Sequence, residues 1–228
     1  MGKNLKLVLN YLKRIVKDPF SVQSWSDMAR YVVSGFQAVA EKMTGYDYTM
    51  SILPKTRTGT TIPFIQRRPA TSSIVSSRTL KNIWGGGNFI DVGCGKGYVV
   101  TVAYRSGKFD KVGGVEYNEN LYRILRRNLN RVSKREKWDY VVNGDARRYP
   151  YYGDFNVFFF NNPFAENIMA DVAKAIWKAH ERDKILIYYL CHAESTERHQ
   201  AILDAGFRLL RVIPDKREAY FTIYVYGN

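Results

Sequence analysis

Apolar residues at Leu5, Val8, Leu9, Leu12, Ile15 and Val16, with Lys6, Asn10, Lys13, Arg14 and Lys17 between them, recur at helical spacing. Asp18-Pro19 ends that helix, because proline disfavours helical geometry in the residue before it. A second helix is predicted from Ser26 to Met43, with Met28, Val32, Phe36, Val39, Ala40 and Met43 on one face and Gly45 as its stop. Residues 46–75 read as an extended segment, since Pro54, Gly59, Pro63 and Pro69 interrupt a run rich in Thr, Ser and Arg. A stretch of this length without regular structure points to a lid or binding segment rather than filler.

After a short helix at Ser76–Ile83 and the turn Gly85-Gly86-Gly87, the pattern changes to strands alternating with helices. Strands are expected at Phe89–Val92, Lys111–Glu116, Trp138–Val142, Phe155–Phe160, Ile185–Leu190, Phe207–Ile213 and Ala219–Tyr226. Helices are expected at Gly97–Arg105, Asn118–Val132, Glu166–Arg182 and Ser195–Ala205. The run Val157-Phe158-Phe159-Phe160 is apolar at every position, which suits a strand covered on both faces and hence a mostly parallel sheet between helical layers. Only Pro214-Asp215-Lys216-Arg217-Glu218 joins the last two strands. That is too short for a parallel crossover, so the final strand must run antiparallel to its predecessor. The expected fold class is α/β: a doubly wound, seven-stranded, mostly parallel sheet with an antiparallel last strand over 76–228, preceded by a basic helical extension over 1–75.

Composition narrows the setting. No stretch of about 18 apolar residues occurs, and Met1–Asn10 lacks the apolar segment of a secretory signal, so a soluble, cytoplasmic protein is expected. Cys94 and Cys191 are the only cysteines, and neither lies in a cluster with metal-ligand spacing. Neither a disulfide framework nor a zinc site is expected. Lys and Arg total 35 against 21 acids, a net charge of +14. Residues 1–88 hold 13 basic and 4 acidic side chains and residues 89–228 hold 22 and 17, so the front end carries +9 and the remainder +5. This sign favours anionic partners such as nucleic acid, an acidic membrane surface or a phosphorylated substrate, with plain solubility as the competing explanation.

The most informative segment is Phe89-Ile90-Asp91-Val92-Gly93-Cys94-Gly95-Lys96-Gly97, a strand that ends in an acid and passes through a glycine-rich turn into a helix. The spacing Gly-x-Gly-x-Gly differs from the dinucleotide fingerprint, and Lys96 is followed by glycine rather than Ser or Thr, which disfavours a nucleoside triphosphate loop. A carboxylate there repels pyrophosphate and attracts an ammonium or sulfonium group.

From these residues the chain resembles the class I S-adenosylmethionine-dependent methyltransferases over roughly residues 76–228, which implies a Rossmann-like fold and S-adenosyl-L-methionine as cofactor. Asp91, Gly93, Gly95 and Gly97 match the first motif, which surrounds the methionine portion of the cofactor. Glu116, nineteen residues past Gly97 and at the end of the second expected strand, is similar to the acid that accepts both ribose hydroxyls. Asp145 resembles the acid that reads the adenine amino group. The competing structural roles are an N-cap for Asp91, a cap of the Asn118 helix for Glu116, and pairing with Arg147-Arg148 for Asp145.

Asn161-Asn162-Pro163-Phe164 follows the fourth expected strand and resembles the Asn/Asp-Pro-Pro-Tyr/Phe segment of methyltransferases that act on nitrogen, with Asn162 where the first proline belongs. Small bacterial class I methyltransferases with a Gly-Lys-Gly ending and an Asn-Pro-Phe fourth motif are a closer match. In such a segment an amide oxygen and a carbonyl accept the two N–H hydrogens and turn the nitrogen lone pair toward the methyl group. The resemblance therefore implies Asn161, Asn162, Pro163 and Phe164 as the acceptor-binding, catalytic residues, against a role in shaping the turn before the next helix. His192, after the fifth strand, is a candidate base, while His180 and His199 are expected to be solvated within helices. The reading is an S-adenosylmethionine-dependent methyltransferase with an unidentified acceptor, nucleic acid being possible from the charge. The alternative is a catalytically silent module that docks on an acidic membrane or partner through its first helix.

Overall fold

The computed structural model describes Met43 and residues 86–134, 138–161, 163–180, 185–192, 196–214 and 221–228. Apart from Met43, the helices expected at 5–16 and 26–43, the extended segment 46–75 and the short helix at 76–83 lie outside the described residues. The elements, numbered over the described residues, are β1 (Asn88–Val92), α1 (Tyr98–Ser106), β2 (Lys111–Glu116), α2 (Glu119–Val132), β3 (Val141–Asn143), β4 (Val157–Asn161), α3 (Glu166–Ala179), β5 (Leu186–His192), α4 (Thr196–Asp204), β6 (Arg208–Pro214) and β7 (Phe221–Gly227). Between β3 and β4 the chain makes two short 3-10 turns, Ala146–Arg148 and Tyr152–Asp154.

The strands form one sheet in the order β3-β2-β1-β4-β5-β7-β6. β1 to β5 pair in parallel, while β7 runs antiparallel to both β5 and β6, the latter as the short connection between β6 and β7 requires. The order reverses between β1 and β4. Connections leave these two neighbours in opposite directions, so a crevice opens at their carboxyl ends.

Burial alternates along each strand because successive side chains face opposite sides. Ile90, Val92, Phe158 and Phe160 face the layer of α3 and α4, with Met169, Val172, Ile176 and Ile202. Phe89, Val157 and Phe159 face the opposite layer, with Val99 and Ala103 of α1. The run Val157–Phe160 is thus buried on both faces, as its sequence predicts.

Four local expectations need correction. Trp138 adopts φ 57° and cannot continue an extended strand, so β3 starts at Val141, and the Trp138 ring packs on Tyr104 with centroids 4.8 Å apart. Phe155 N–H is used to close the Tyr152–Asp154 turn at 3.1 Å, so β4 begins two residues later than expected. His180 ends α3 rather than lying within it, and is buried, its ring nitrogens 2.9 and 2.5 Å from the carbonyl oxygens of Ile176 and Phe155. His199 is half-buried, its ring tilted against that of Tyr224 with centroids 3.9 Å apart and hydrogen-bonded to the Tyr226 hydroxyl.

Candidate functional site

The glycine loop hangs from the end of β2. Gly93 and Cys94 N–H both donate to the Val115 carbonyl, at 2.9 and 3.0 Å, and Gly97 N–H donates to Cys94 O at 2.9 Å. From the side, Glu116 Oε2 accepts Gly95 N–H at 2.8 Å while its Oε1 accepts Asn118 N–H at 2.7 Å. One carboxylate therefore ties the loop to the start of α2. From below, the buried Asn128 side chain donates from Nδ2 to Lys96 O at 3.0 Å.

The three glycines of the motif are needed for different reasons. Gly93, Gly95 and Gly97 all have positive φ, at 84°, 55° and 80°. A Cβ on Gly93 would stand 2.4 Å from Pro163 Cβ, and one on Gly97 would stand 2.0 Å from Leu125 Cδ1. Both are glycine because protein packs against them. Among the described residues a Cβ on Gly95 would meet nothing within 4 Å, which leaves room beside it at the crevice. That is where a ligand can approach the backbone.

The electrostatics of the crevice are set by two acids on adjacent strands. Asp91 is only 3% exposed, and among the described residues its Oδ1 is the buried side-chain polar atom left without a hydrogen-bond partner. It does not cap α1, whose N-cap Gly97 receives no side-chain bond. Burial pushes the Asp91 carboxyl well above the usual range, and the charge of Glu116 pushes it further. Burial also raises Glu116, opposed by backbone N–H donors at Asn118, Gly95 and Tyr117. An orphaned carboxylate oxygen beside a second buried acid is costly until a donor or a cation arrives.

On the β4 side, Asn161, Pro163 and Phe164 are half-buried, and Asn162 lies outside the described residues. Pro163 presses on Gly93, and the tip of the Phe164 ring would lie 3.7 Å from a Cβ there. Phe164 also meets Phe160 edge-on at 6.4 Å. The fourth-strand segment and the glycine loop are therefore in direct contact. Asp145 is brought to the same edge of the sheet but is engaged by Arg147. Its Oδ1 accepts Arg147 N–H at 2.9 Å, and the guanidinium donates to Oδ2 at 2.6 Å and to Oδ1 at 3.0 Å. Arg147 holds this carboxyl below the usual range. His192 ends β5 opposite Phe221, and its side chain lies outside the described set.

Two residues were not singled out from the sequence. Asn128 is a polar side chain on the apolar stripe of α2, between Leu125 and Leu129, which is the signal that marks it. Tyr117 directly follows Glu116 and is 77% exposed, an unpacked ring at the rim of the crevice.

No family model and no curated protein sequence matches the chain. Solved structures do match. A protein of the NAD-binding Rossmann superfamily from Streptococcus agalactiae is 14% identical, with a TM-score of 0.57 and 67% of each chain covered. The magnesium protoporphyrin IX methyltransferase of Synechocystis, solved with S-adenosylmethionine bound, is 12% identical, with a TM-score of 0.56 over 74% of this chain and 86% of that one. The chain shares the Rossmann-like fold of these structures. An S-adenosylmethionine-dependent methyltransferase from Corynebacterium glutamicum, 16% identical, matches with a TM-score of 0.51 over 70% of this chain and 98% of that one. This fold hosts many chemistries, so the site must carry the functional argument.

Proposed function

We propose that the protein is an S-adenosylmethionine-dependent methyltransferase acting on a nitrogen acceptor. The observation that carries the first half is Asp91: a buried acid with an orphaned oxygen, under a glycine loop whose middle glycine is open, at the strand-order reversal of the sheet. The residues present fit the cofactor. Asp91 offers an acceptor for its ammonium group, and Glu116 keeps acceptor capacity beyond the bonds it takes from Gly95, Asn118 and Tyr117, since a carboxylate has about four acceptor sites. Tyr117 offers an exposed ring face for a base. Asp145 becomes an adenine acceptor only by sharing its oxygens with Arg147.

The cofactor supplies an activated methyl group on a cationic sulfur, so the protein's own task is alignment. Placing reactants in line is worth up to about 7–11 kcal/mol in favourable cases. The contact of Pro163 with Gly93 supports the acceptor half of the proposal, because it couples the fourth-strand segment to the loop that holds the cofactor. Within that segment Asn161 and Asn162 accept the N–H hydrogens and Phe164 covers the acceptor plane. Nothing among the described residues favours a silent docking module.

Calorimetry with S-adenosylmethionine and S-adenosylhomocysteine tests the cofactor half. Glu116→Ala should weaken both by roughly 10- to 150-fold, the equivalent of about 1.5–3 kcal/mol for a charge-assisted hydrogen bond. Unchanged affinity in a folded variant removes Glu116 from the site. Methyl transfer from labelled cofactor to fractionated RNA, DNA, protein and small molecules then identifies the acceptor.

A further inference from the structure

Helix α2 carries Arg123, Arg126, Arg127 and Arg131 and no lysine. Arg123, Arg127 and Arg131 recur every fourth residue, and all three are exposed. Their side chains therefore leave one solvent-facing line, spaced about 6 Å apart along the helix axis. The opposite face, with Ile124, Leu125 and Leu129, is buried, so the line has no freedom to turn inward.

Among the described residues an acid meets this line at its first arginine alone. Arg123 pairs with Glu119 at 2.6 Å, but among the described residues Arg127 and Arg131 have no acidic partner. Arg126 borders the line, donating to the Trp138 carbonyl at 3.2 Å, and Lys134, two residues past the end of the helix, is exposed. Like charges four residues apart weaken a helix, and solubility is served as well by alternating signs. Arginine in place of lysine adds a planar fork that meets phosphate oxygens bidentately. A single nucleotide would occupy one such fork, whereas a chain of phosphates would occupy several. The helix starts at Glu119, three residues after Glu116, so the line that begins at Arg123 leads away from the crevice edge.

We propose that this arginine line binds the phosphate backbone of a nucleic-acid strand, with Arg123, Arg127 and Arg131 each meeting a phosphate. The contact reads no bases and positions the strand along α2. If the strand is also the methyl acceptor, that step rests on the cofactor reading above; the binding itself does not, and its test contains no cofactor.

The test is fluorescence anisotropy of a labelled 20-nucleotide single-stranded RNA over a range of salt concentrations. Three proteins are compared: the full chain, Arg123→Gln/Arg127→Gln/Arg131→Gln, and a charge-matched control, Lys174→Gln/Lys178→Gln/Arg208→Gln, whose residues are exposed on other elements. Losing three single-strand phosphate contacts should reduce the slope of log affinity against log salt by about 2, and the control should leave it unchanged within about 0.5. Between 50 and 200 mM salt, affinity for the full chain should then fall about 16-fold more than for the α2 variant. Arg127→Gln and Arg131→Gln alone should each remove about 0.7 from the slope. Equal flattening by both triple variants would overturn the proposal in favour of bulk charge. So would a slope unaffected by the α2 variant, or no RNA binding at 50 mM salt. Binding to phosphatidylserine vesicles that depends on these arginines, without RNA binding, would assign the line to a membrane surface instead.

Discussion

At the residue scale, the three motif glycines separate stability from ligand binding. Gly97→Ala combines left-handed strain with a Cβ inside the Leu125 side chain, and should cost about 2–5 kcal/mol of stability. Gly95→Ala meets no atom of the described residues and should cost only the conformational strain of about 1–2 kcal/mol, yet its methyl group would stand where the proposed ligand approaches. Thermal melting beside calorimetry should show Gly97→Ala mainly unstable and Gly95→Ala mainly defective in cofactor affinity. Equal behaviour of the two would mean that Gly95 does not face the ligand. Asn162→Ala should leave cofactor affinity within about threefold and reduce methyl transfer by roughly 100-fold or more, as ~3 kcal/mol of acceptor orientation implies. At this scale the sequence reveals the acids and glycines but not their partners. Asp145 shows why. Its competitor Arg147 is two residues away and plainly visible in the sequence, but whether the two side chains meet depends on the 3-10 turn that Asp145 itself caps.

At the scale of elements, long patterned segments were readable and their junctions were not. β4 is legible because four consecutive apolar residues leave little choice but burial on both faces. β3 was misplaced at its start because Trp138 looks like a strand residue, and only its contact with Tyr104 explains a conformation that its side chain resists. Asn128 was hidden for a related reason, since its carbonyl partner at Lys96 is 32 residues away. Helix α4 carries a pH-dependent joint. Burial lowers the proton affinity of His199, so the unfolded chain takes up a proton before the folded one does. The stability from this joint is fully present above the ordinary imidazole range and is lost as pH falls through it. Melting temperatures measured across that range should fall less for His199→Phe than for the parent chain. Parallel curves would show that the joint contributes nothing to the acid sensitivity.

At the scale of the molecule, protection should follow position in the sheet. β1 and β4 lie inside the order, with a parallel neighbour on each side, while β3 and β6 close its two ends. β6 is exposed along most of its length, including Leu209, Leu210 and Val212. Native-state hydrogen exchange should find the slowest amides in β1 and β4 and the fastest strand amides in β3 and β6, with openings in the central pair approaching the global unfolding energy. Slow exchange in β6 would mean that its edge is covered in solution.

The orphaned Asp91 oxygen gives binding a readout that needs no label. Burial makes its carboxyl hold a proton more tightly than in water, so meeting an incoming ammonium group as a carboxylate favours release of hydrogen ions into the medium. In weakly buffered solution containing a pH indicator dye, mixing the protein with S-adenosylhomocysteine should acidify the sample. Asp91→Asn should abolish that signal and, with no proton to be taken up on folding, should melt at a higher temperature than the parent chain when both are empty at neutral pH. A silent dye in a sample that calorimetry shows to be binding would mean that Asp91 already sits ionised.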